Sequence, residues 1–172
     1  MTAPYTVIER DARISDCKAY RYWLKRVLMP VPGQNPMLGG RVVWVMLNPS
    51  TADAKIDDAT IRRVMGFSFA WGYREIIVVN LFALRSTDPA ALWKARDPIG
   101  PENDRWISDW ALLSEKVVAA WGTNGMHLYR DADVRKLISA QGARLYCLGK
   151  TKDGAPKHPV RLAGATVLRE FR

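Results

Sequence analysis

Apolar positions along the chain form short runs separated by turn residues and by helical patterns. The clearest run, 42–47, ends abruptly in Asn48-Pro49-Ser50. Its continuous apolar character predicts a strand buried on both faces, and Pro49 must end it because proline cannot donate a ladder hydrogen bond. In open α/β sheets, ligands bind outside the carboxyl ends of the strands, so this polar tip is the first candidate site.

The remaining runs predict a mostly parallel sheet. Apolar runs at 75–84, 116–121 and 144–148 predict three more core strands, with a last short strand at 166–171. Capping residues predict helices that begin at Asp57 or Asp58, at Asn103 or Asp104, and at Asp131 or Asp133. Alternation within 5–10 and 19–29 predicts an N-terminal β-hairpin. The predicted fold is a single α/β domain, 1–172: a three-layer α/β/α sandwich with a mostly parallel central sheet of about four strands (41–172), preceded by the hairpin and a loop (1–40).

Composition and charge narrow the function classes. The chain has 172 residues, 48% of them hydrophobic and 25% charged, which is typical of a globular protein. No apolar run approaches the roughly 20 residues of a membrane span, and the first residues lack a signal-peptide pattern, so a cytoplasmic location is expected. Cys17 and Cys147 lie far apart and predict reduced thiols. The net charge of +9 favours polyanionic partners such as nucleic acid.

The carboxyl ends of the predicted strands collect polar residues. Asn80 interrupts an apolar run, which is costly unless the amide is paired, and its donor and acceptor can read the edge of a nucleobase. The alternative is that Asn80 caps a turn or bonds a neighbouring loop. His158, in a basic loop after the last core strand, can stabilise a developing negative charge, or it is an exposed loop histidine. Carboxylates at 53, 57, 58, 102 and 104 can hold Mg²⁺, although helix capping explains most of them.

Five motifs identify a family resemblance between about Val42 and Leu162. They are LNPSTAD, VVNLFALRSTDP, GPEND, VAAWG and LGKTKDGAPKHP. In this order they resemble an uncharacterised bacterial and phage family, the domain of unknown function 1643. That resemblance implies no established activity.

The order of the motifs is also similar to the uracil-DNA glycosylase superfamily, which has an α/β/α fold. Met46-Leu47-Asn48-Pro49-Ser50 resembles the first motif, whose Asn positions the attacking water, and His158-Pro159 resembles the loop whose His stabilises the departing base. The resemblance implies catalytic roles for Asn48 and His158 and base contacts from Asn80, Phe82 and Ser50. It also implies phosphate or nucleic-acid contacts from Thr51, Arg85, Lys150, Lys152, Lys157 and Arg161. Further residues expected in the pocket are Asp53, Asp58, Trp121 and Gly122.

This sequence departs from the glycosylase pattern at two glycines, which Met46 and Ser50 replace, and it lacks the second Ser-Pro of the histidine loop. The expected function is hydrolysis of the N-glycosidic bond of a modified or mismatched base in nucleic acid, DNA rather than RNA, without cofactor or metal and without a membrane partner. The alternatives are an inactive nucleic-acid or nucleotide binding module, a phage-related base-modification enzyme, and a Mg²⁺-dependent phosphoryl-transfer enzyme.

Overall fold

A computed structural model of the chain describes residues 3–33, 37–50, 52, 54–88 and 90–172. These ranges contain seven strands and four α-helices, and the first three strands precede the first helix. The strands are β1 (Tyr5–Ile14), β2 (Arg21–Pro30), β3 (Gly39–Met46), β4 (Tyr73–Asn80), β5 (Lys116–Ala119), β6 (Leu145–Cys147) and β7 (Arg169–Glu170). The helices are α1 (Ala59–Ala70), α2 (Ala90–Lys94), α3 (Asn103–Leu112) and α4 (Arg130–Ala140). No helix in these ranges is long and apolar enough to cross a membrane.

All seven strands form one mixed sheet in the order β1-β2-β4-β3-β5-β6-β7. The pairings β4–β3, β3–β5 and β5–β6 are parallel, whereas β1–β2, β2–β4 and β6–β7 are antiparallel. The predicted fold class, a mostly parallel sheet of about four strands, is therefore wrong: half of the strand pairings are antiparallel, and the edges extend the sheet to seven strands. The predicted hairpin forms, but it is part of this sheet, since β2 pairs with β4 from Leu24 opposite Val78 to Val27 opposite Glu75.

The two faces of the sheet are covered by different helices. On one face α1 packs on the even-numbered residues of β3 and β4, among them Val42, Trp44 and Val78. On the other face α2, α3 and α4 contribute Leu92, Ile107 and Val134 to a second apolar cluster. Both faces of the central strands are therefore buried, which accounts for the continuous apolar runs in their sequences.

Of the three predicted helix caps, one is confirmed and two are wrong. Asp58 caps α1 as predicted, and its side chain accepts a 2.8 Å hydrogen bond from the Ile61 N–H. Helix α3 follows Glu102, whose side chain makes no capping bond, so neither Asn103 nor Asp104 is the cap. Helix α4 follows Tyr129, and the predicted caps Asp131 and Asp133 lie inside its first turn. The two side chains that were predicted to cap α3 instead contact other parts of the chain, and a local sequence pattern does not show such contacts.

The three central strands end side by side. In the parallel register Met46 lies opposite Asn80, and Val45 lies opposite both Val79 and Ala119. Because parallel strands bring their carboxyl ends to one edge, the segments that follow β3, β4 and β5 meet there. This edge of the sheet contains the candidate site.

Candidate functional site

A cavity of about 340 Å³ opens at the carboxyl ends of β3, β4 and β5, on the face that α1 covers. Its volume lies within the range of small-ligand sites. The apolar part of its wall comes from Met46, Leu47, Val78 and Ile61. The polar part comes from Arg21, Asn48, Ser50, Asp58, Thr60, Asn80, Ser86, Thr87, Thr123, Asn124 and His158, with Trp121 and Gly122 beside them.

Asn80, the last residue of β4, is the most informative of these side chains. Only 1% of the residue is exposed, and neither its Nδ2 nor its Oδ1 has a hydrogen-bond partner among the described residues. A buried carboxamide without partners costs about 1–3 kcal/mol in proteins. The alternative in which Asn80 caps a turn or bonds a loop through its side chain therefore has no support among these contacts. Asn80 is thus a lining residue of the cavity whose side chain carries a buried donor and a buried acceptor without partners in the described part of the chain.

Asn48 follows β3 and is half-buried. Its Nδ2 donates to two backbone carbonyls, that of Ser86 at 2.8 Å and that of Pro49 at 3.2 Å. These bonds use both amide protons and fix the plane of the carboxamide. Its Oδ1 makes no hydrogen bond to a described residue, so the group that Asn48 can offer a ligand or a water molecule is an acceptor.

Ser50 and Asp58 form a hydrogen-bonded pair at the start of α1. The Ser50 hydroxyl donates to one carboxylate oxygen of Asp58, and the other oxygen accepts the Ile61 N–H. The amino end of a helix stabilises this negative charge. Because the Ser50 proton is used in that bond, the lone pairs of its oxygen remain for a ligand donor.

His158 lies at the rim of the cavity, where the residue remains exposed to solvent. Its Nδ1 accepts the Val160 N–H at 3.4 Å, so the neutral ring carries its proton on Nε2. Partial removal of water around the ring lowers the pKa of His158, and the nearby Asp58 carboxylate opposes that change. The ring is therefore neutral at pH 7 and can act as a hydrogen-bond donor.

Arg21 and Trp121 are large, buried residues of the cavity wall; the sequence did not predict Arg21 as functional and predicted Trp121 only by resemblance. Arg21, the first residue of β2, is 2% exposed, lines the cavity, and donates through Nη1 to the Ala52 carbonyl. It comes from the antiparallel strand that the fold prediction set outside the core. Trp121, predicted by resemblance, is also 2% exposed, and its indole packs against Phe171 and Gly125.

A second, more open groove adjoins the cavity and shares Gly122, Thr123 and His158 with it. The exposed cations Lys157 and Arg161 line this groove, and neither forms an ion pair with a described residue. They therefore present uncompensated positive charge next to the cavity.

The other predicted contact residues do not line either space. Phe82 is fully buried on the opposite face of the sheet, against Trp93 and His127, and is not placed to stack on a base. Arg85 donates to the Lys18 carbonyl, and Lys150 donates to the Arg172 carbonyl and lies over the Phe171 ring. Lys152 is exposed and lines neither space. Thr51 and Asp53 lie outside the described residues.

Three of the acidic residues considered for Mg²⁺ already have partners among the described residues. Asp57 pairs with the buried Arg26 at 2.7 Å, Asp58 caps α1, and Asp104 pairs with Arg130. Within the described ranges, no group of three His, Cys, Asp or Glu side chains is arranged to hold a metal ion.

The fold and the cavity define a mixed α/β protein with a small-molecule-sized site at the carboxyl ends of its central parallel strands. A family model for proteins of unknown function (DUF1643) matches residues 21–160, and the chain belongs to that family. No curated protein and no solved structure matches the chain.

Proposed function

We propose that the cavity binds a nucleobase of a nucleic acid and that the protein hydrolyses the bond between that base and its sugar. The observation that carries this proposal is the unpaired carboxamide of Asn80 in the cavity wall. A neighbouring donor and acceptor on a rigid side chain match the adjacent acceptor and donor on the edge of a base. A ligand that supplies both partners removes the cost of burying this amide.

The apolar part of the wall suits the faces of a planar ring. Met46, Val78 and Ile61 come from β3, β4 and α1 and lie in the same cavity as Asn80. Small-ligand sites combine such apolar walls with a few polar groups that fix orientation. A base that has left the stack of its strand can enter a site of this kind.

Two further residues support the proposal of hydrolysis. Asn48, whose amide protons are held by backbone carbonyls, offers Oδ1 to orient a water molecule. In the reaction the water oxygen bonds to the anomeric carbon while the carbon–nitrogen bond breaks, and that bond's electron pair leaves with the base. The water proton finally balances the charge on the base. The neutral His158, through Nε2–H, stabilises the negative charge that develops on the leaving base.

Positive charge next to the cavity fits a polyanionic carrier. Lys157 and Arg161 line the adjoining groove, and the chain carries a net charge of +9. Contacts between cations and phosphates supply sequence-independent affinity that falls as salt rises. DNA in the cytoplasm is the substrate that we expect.

The test is a cleavage panel in EDTA. Single- and double-stranded oligonucleotides that carry uracil, hypoxanthine, hydroxymethyluracil or mismatched thymine are incubated with protein and then treated with alkali, which breaks strands at abasic sites. We expect breaks with at least one substrate, and a loss of about 100-fold or more in Asn48→Ala, since a positioned polar group contributes on the order of 10²–10³ to such rates. Asn80→Leu should lose base binding.

Gln141→Leu is the matched control. This amide lies at the carboxyl end of α4, beside the amino ends of β5 and β6 and outside the cavity. It should cleave like the wild type. Salt-sensitive binding without abasic sites would refute hydrolysis and identify a binding module, and an absence of both would refute the nucleic-acid proposal.

A further inference from the structure

The motif Gly100-Pro101-Glu102-Asn103-Asp104 has no part in the chemistry proposed above, yet it lies against the strand that ends in Asn80. Gly100 has φ of +89°, a left-handed conformation that favours glycine. A Cβ on this residue would lie 2.8 Å from Cδ1 of Tyr20. The close turn delivers Asn103 to the start of α3.

Asn103 is fully buried, and its side chain bonds the backbone at the end of β4. Its Nδ2 donates to the carbonyl oxygens of both Asn80 and Leu81, each at 3.0 Å. The ladder between β2 and β4 stops at Leu24 opposite Val78, so the carbonyls beyond that point have left the range of this pairing. The carboxamide of Asn103 donates hydrogen bonds to carbonyls that this strand pairing no longer reaches.

Arg130 completes the same arrangement. It is 2% exposed, its Nε donates to the Leu81 carbonyl at 2.8 Å, and its guanidinium pairs with Asp104. Two buried side chains, one from α3 and one from α4, therefore hold two consecutive carbonyls. Leu81 and Phe82 are also bonded to the end of β3 and the residue after it, through the Leu81 N–H to the Met46 carbonyl and the Phe82 N–H to the Leu47 carbonyl.

This arrangement has a cost. The Oδ1 of Asn103 is buried and has no hydrogen-bond partner among the described residues. An unsatisfied buried acceptor destabilises a fold by about 1–3 kcal/mol. Asn80 has two such atoms, and no described side chain holds its carboxamide in place. No hydrogen bond to a described side chain fixes the direction of that carboxamide, so the backbone from which it extends and the packing around it set that direction.

We infer that Asn103 is the positioning residue of the cavity: by holding the carbonyls of Asn80 and Leu81, it directs the Asn80 carboxamide toward the bound group. Arg130 supports it through the Leu81 carbonyl, and Asp104 orients Arg130. The inference rests on the proposed function for the identity of the bound group, whereas the orientation of Asn80 is a property of the protein alone.

The experiment follows the side-chain amide resonances of Asn80 by ¹H–¹⁵N NMR in the full chain, assigned by their loss in Asn80→Asp. We expect Asn103→Ala to shift or broaden them in the absence of any ligand. Asn103→Ser, whose hydroxyl can keep one of the two bonds, should give a smaller change. It also serves as the test if Asn103→Ala does not fold. Unchanged Asn80 resonances in a folded Asn103 variant would overturn the inference.

Ser68→Ala is the control for a loss of stability alone. It removes the acceptor of a 3.0 Å buried hydrogen bond from Trp44 and leaves the end of β4 untouched. It should lower the melting temperature without moving the Asn80 resonances. An equal shift of those resonances in Ser68→Ala would also overturn the inference, because a general loss of stability would then explain the effect.

Titration with free uracil, cytosine, adenine and hypoxanthine separates the inference from the proposed function. We expect one of these bases to shift the Asn80 resonances of the wild type, and Asn103→Ala to bind it at least tenfold more weakly. If none of the bases binds, the proposed function fails while the spectra without ligand still decide the role of Asn103. If a base binds Asn103→Ala as tightly as it binds the wild type, the positioning role is refuted and the base site remains.

Discussion

Asn80 is predicted to lower the stability of the protein, and Asn80→Leu should raise it. The residue is 1% exposed, and both polar atoms of its side chain are without a hydrogen-bond partner among the described residues. Replacing an unsatisfied buried amide with an apolar side chain of similar shape removes a cost of about 1–3 kcal/mol. The neighbouring wall of Met46, Val78 and Ile61 is apolar and next to open space, so it can accept the leucine methyl groups.

The assay is chemical and thermal unfolding at pH 7.5. For a chain of this length, each kcal/mol changes the melting temperature by about 2–4 °C. We therefore expect Asn80→Leu to unfold at a higher temperature and denaturant concentration than the wild type while losing base binding. A gain in stability together with a loss of function is the signature of a side chain that is retained for binding.

Asn103→Leu is the matched comparison, since it makes the same substitution at a buried amide that is engaged. The variant removes two donated bonds and leaves the carbonyls of Asn80 and Leu81 without that donor. It should be destabilised by about 1–3 kcal/mol. If Asn80→Leu lost stability to the same extent as Asn103→Leu, the Asn80 amide would have a partner in solution, and the reasoning about the cavity would be refuted.

Three further predictions concern the surroundings of the site. Gly125→Ala should destabilise the protein by about 1–3 kcal/mol, because its Cβ would lie 2.1 Å from Cδ1 of Trp121. Gly66→Ala, in the open middle of α1, should be neutral or stabilising by up to about 1 kcal/mol. Equal effects of the two substitutions in denaturant unfolding would contradict the packing argument. The pKa of His158 is lowered in the folded protein, so the unfolded chain binds a proton at this ring more readily. The stability of the wild type relative to His158→Gln should therefore decrease as the pH falls below about 6.5. If the unfolding free energies of the two proteins changed with pH in parallel, this prediction would be contradicted. Cys17 is exposed, and the Ser15 hydroxyl lowers its thiol pKa, so one thiol per native chain should react rapidly with a disulfide reagent, the buried cysteine of β6 reacting only after unfolding.

The location of the candidate site follows from local patterns. Apolar runs mark the central strands, and Asn48 and Asn80 mark the polar positions at their ends. If two strands are parallel neighbours, their carboxyl ends necessarily lie at the same edge of the sheet. The pairing of Met46 with Asn80 shows this arrangement. The cap of α1 at Asp58 is likewise local, since it depends only on a side chain and the N–H three residues later.

The edges of the sheet required the tertiary structure. An apolar or alternating pattern predicts a strand but does not contain the direction or the identity of its neighbour. The order of the sheet, with β2 antiparallel to β4 and β7 antiparallel to β6, is decided by contacts between distant segments. For that reason the fold class was wrong although the core strands were in the predicted places, and Arg21 of β2 was missed as part of the cavity wall.

The same distinction explains Asn103. Its position before an apolar helical pattern is typical of a helix cap, and a local interpretation has no reason to assign it another role. In the folded chain it donates instead to carbonyls 22 and 23 residues earlier in the sequence. The sequence by itself determines which residues are polar and where each strand ends. Only tertiary packing decides which of those polar groups satisfy one another and which, like the amide of Asn80, remain for a ligand, because hydrogen bonds between distant segments leave no periodic trace in the chain.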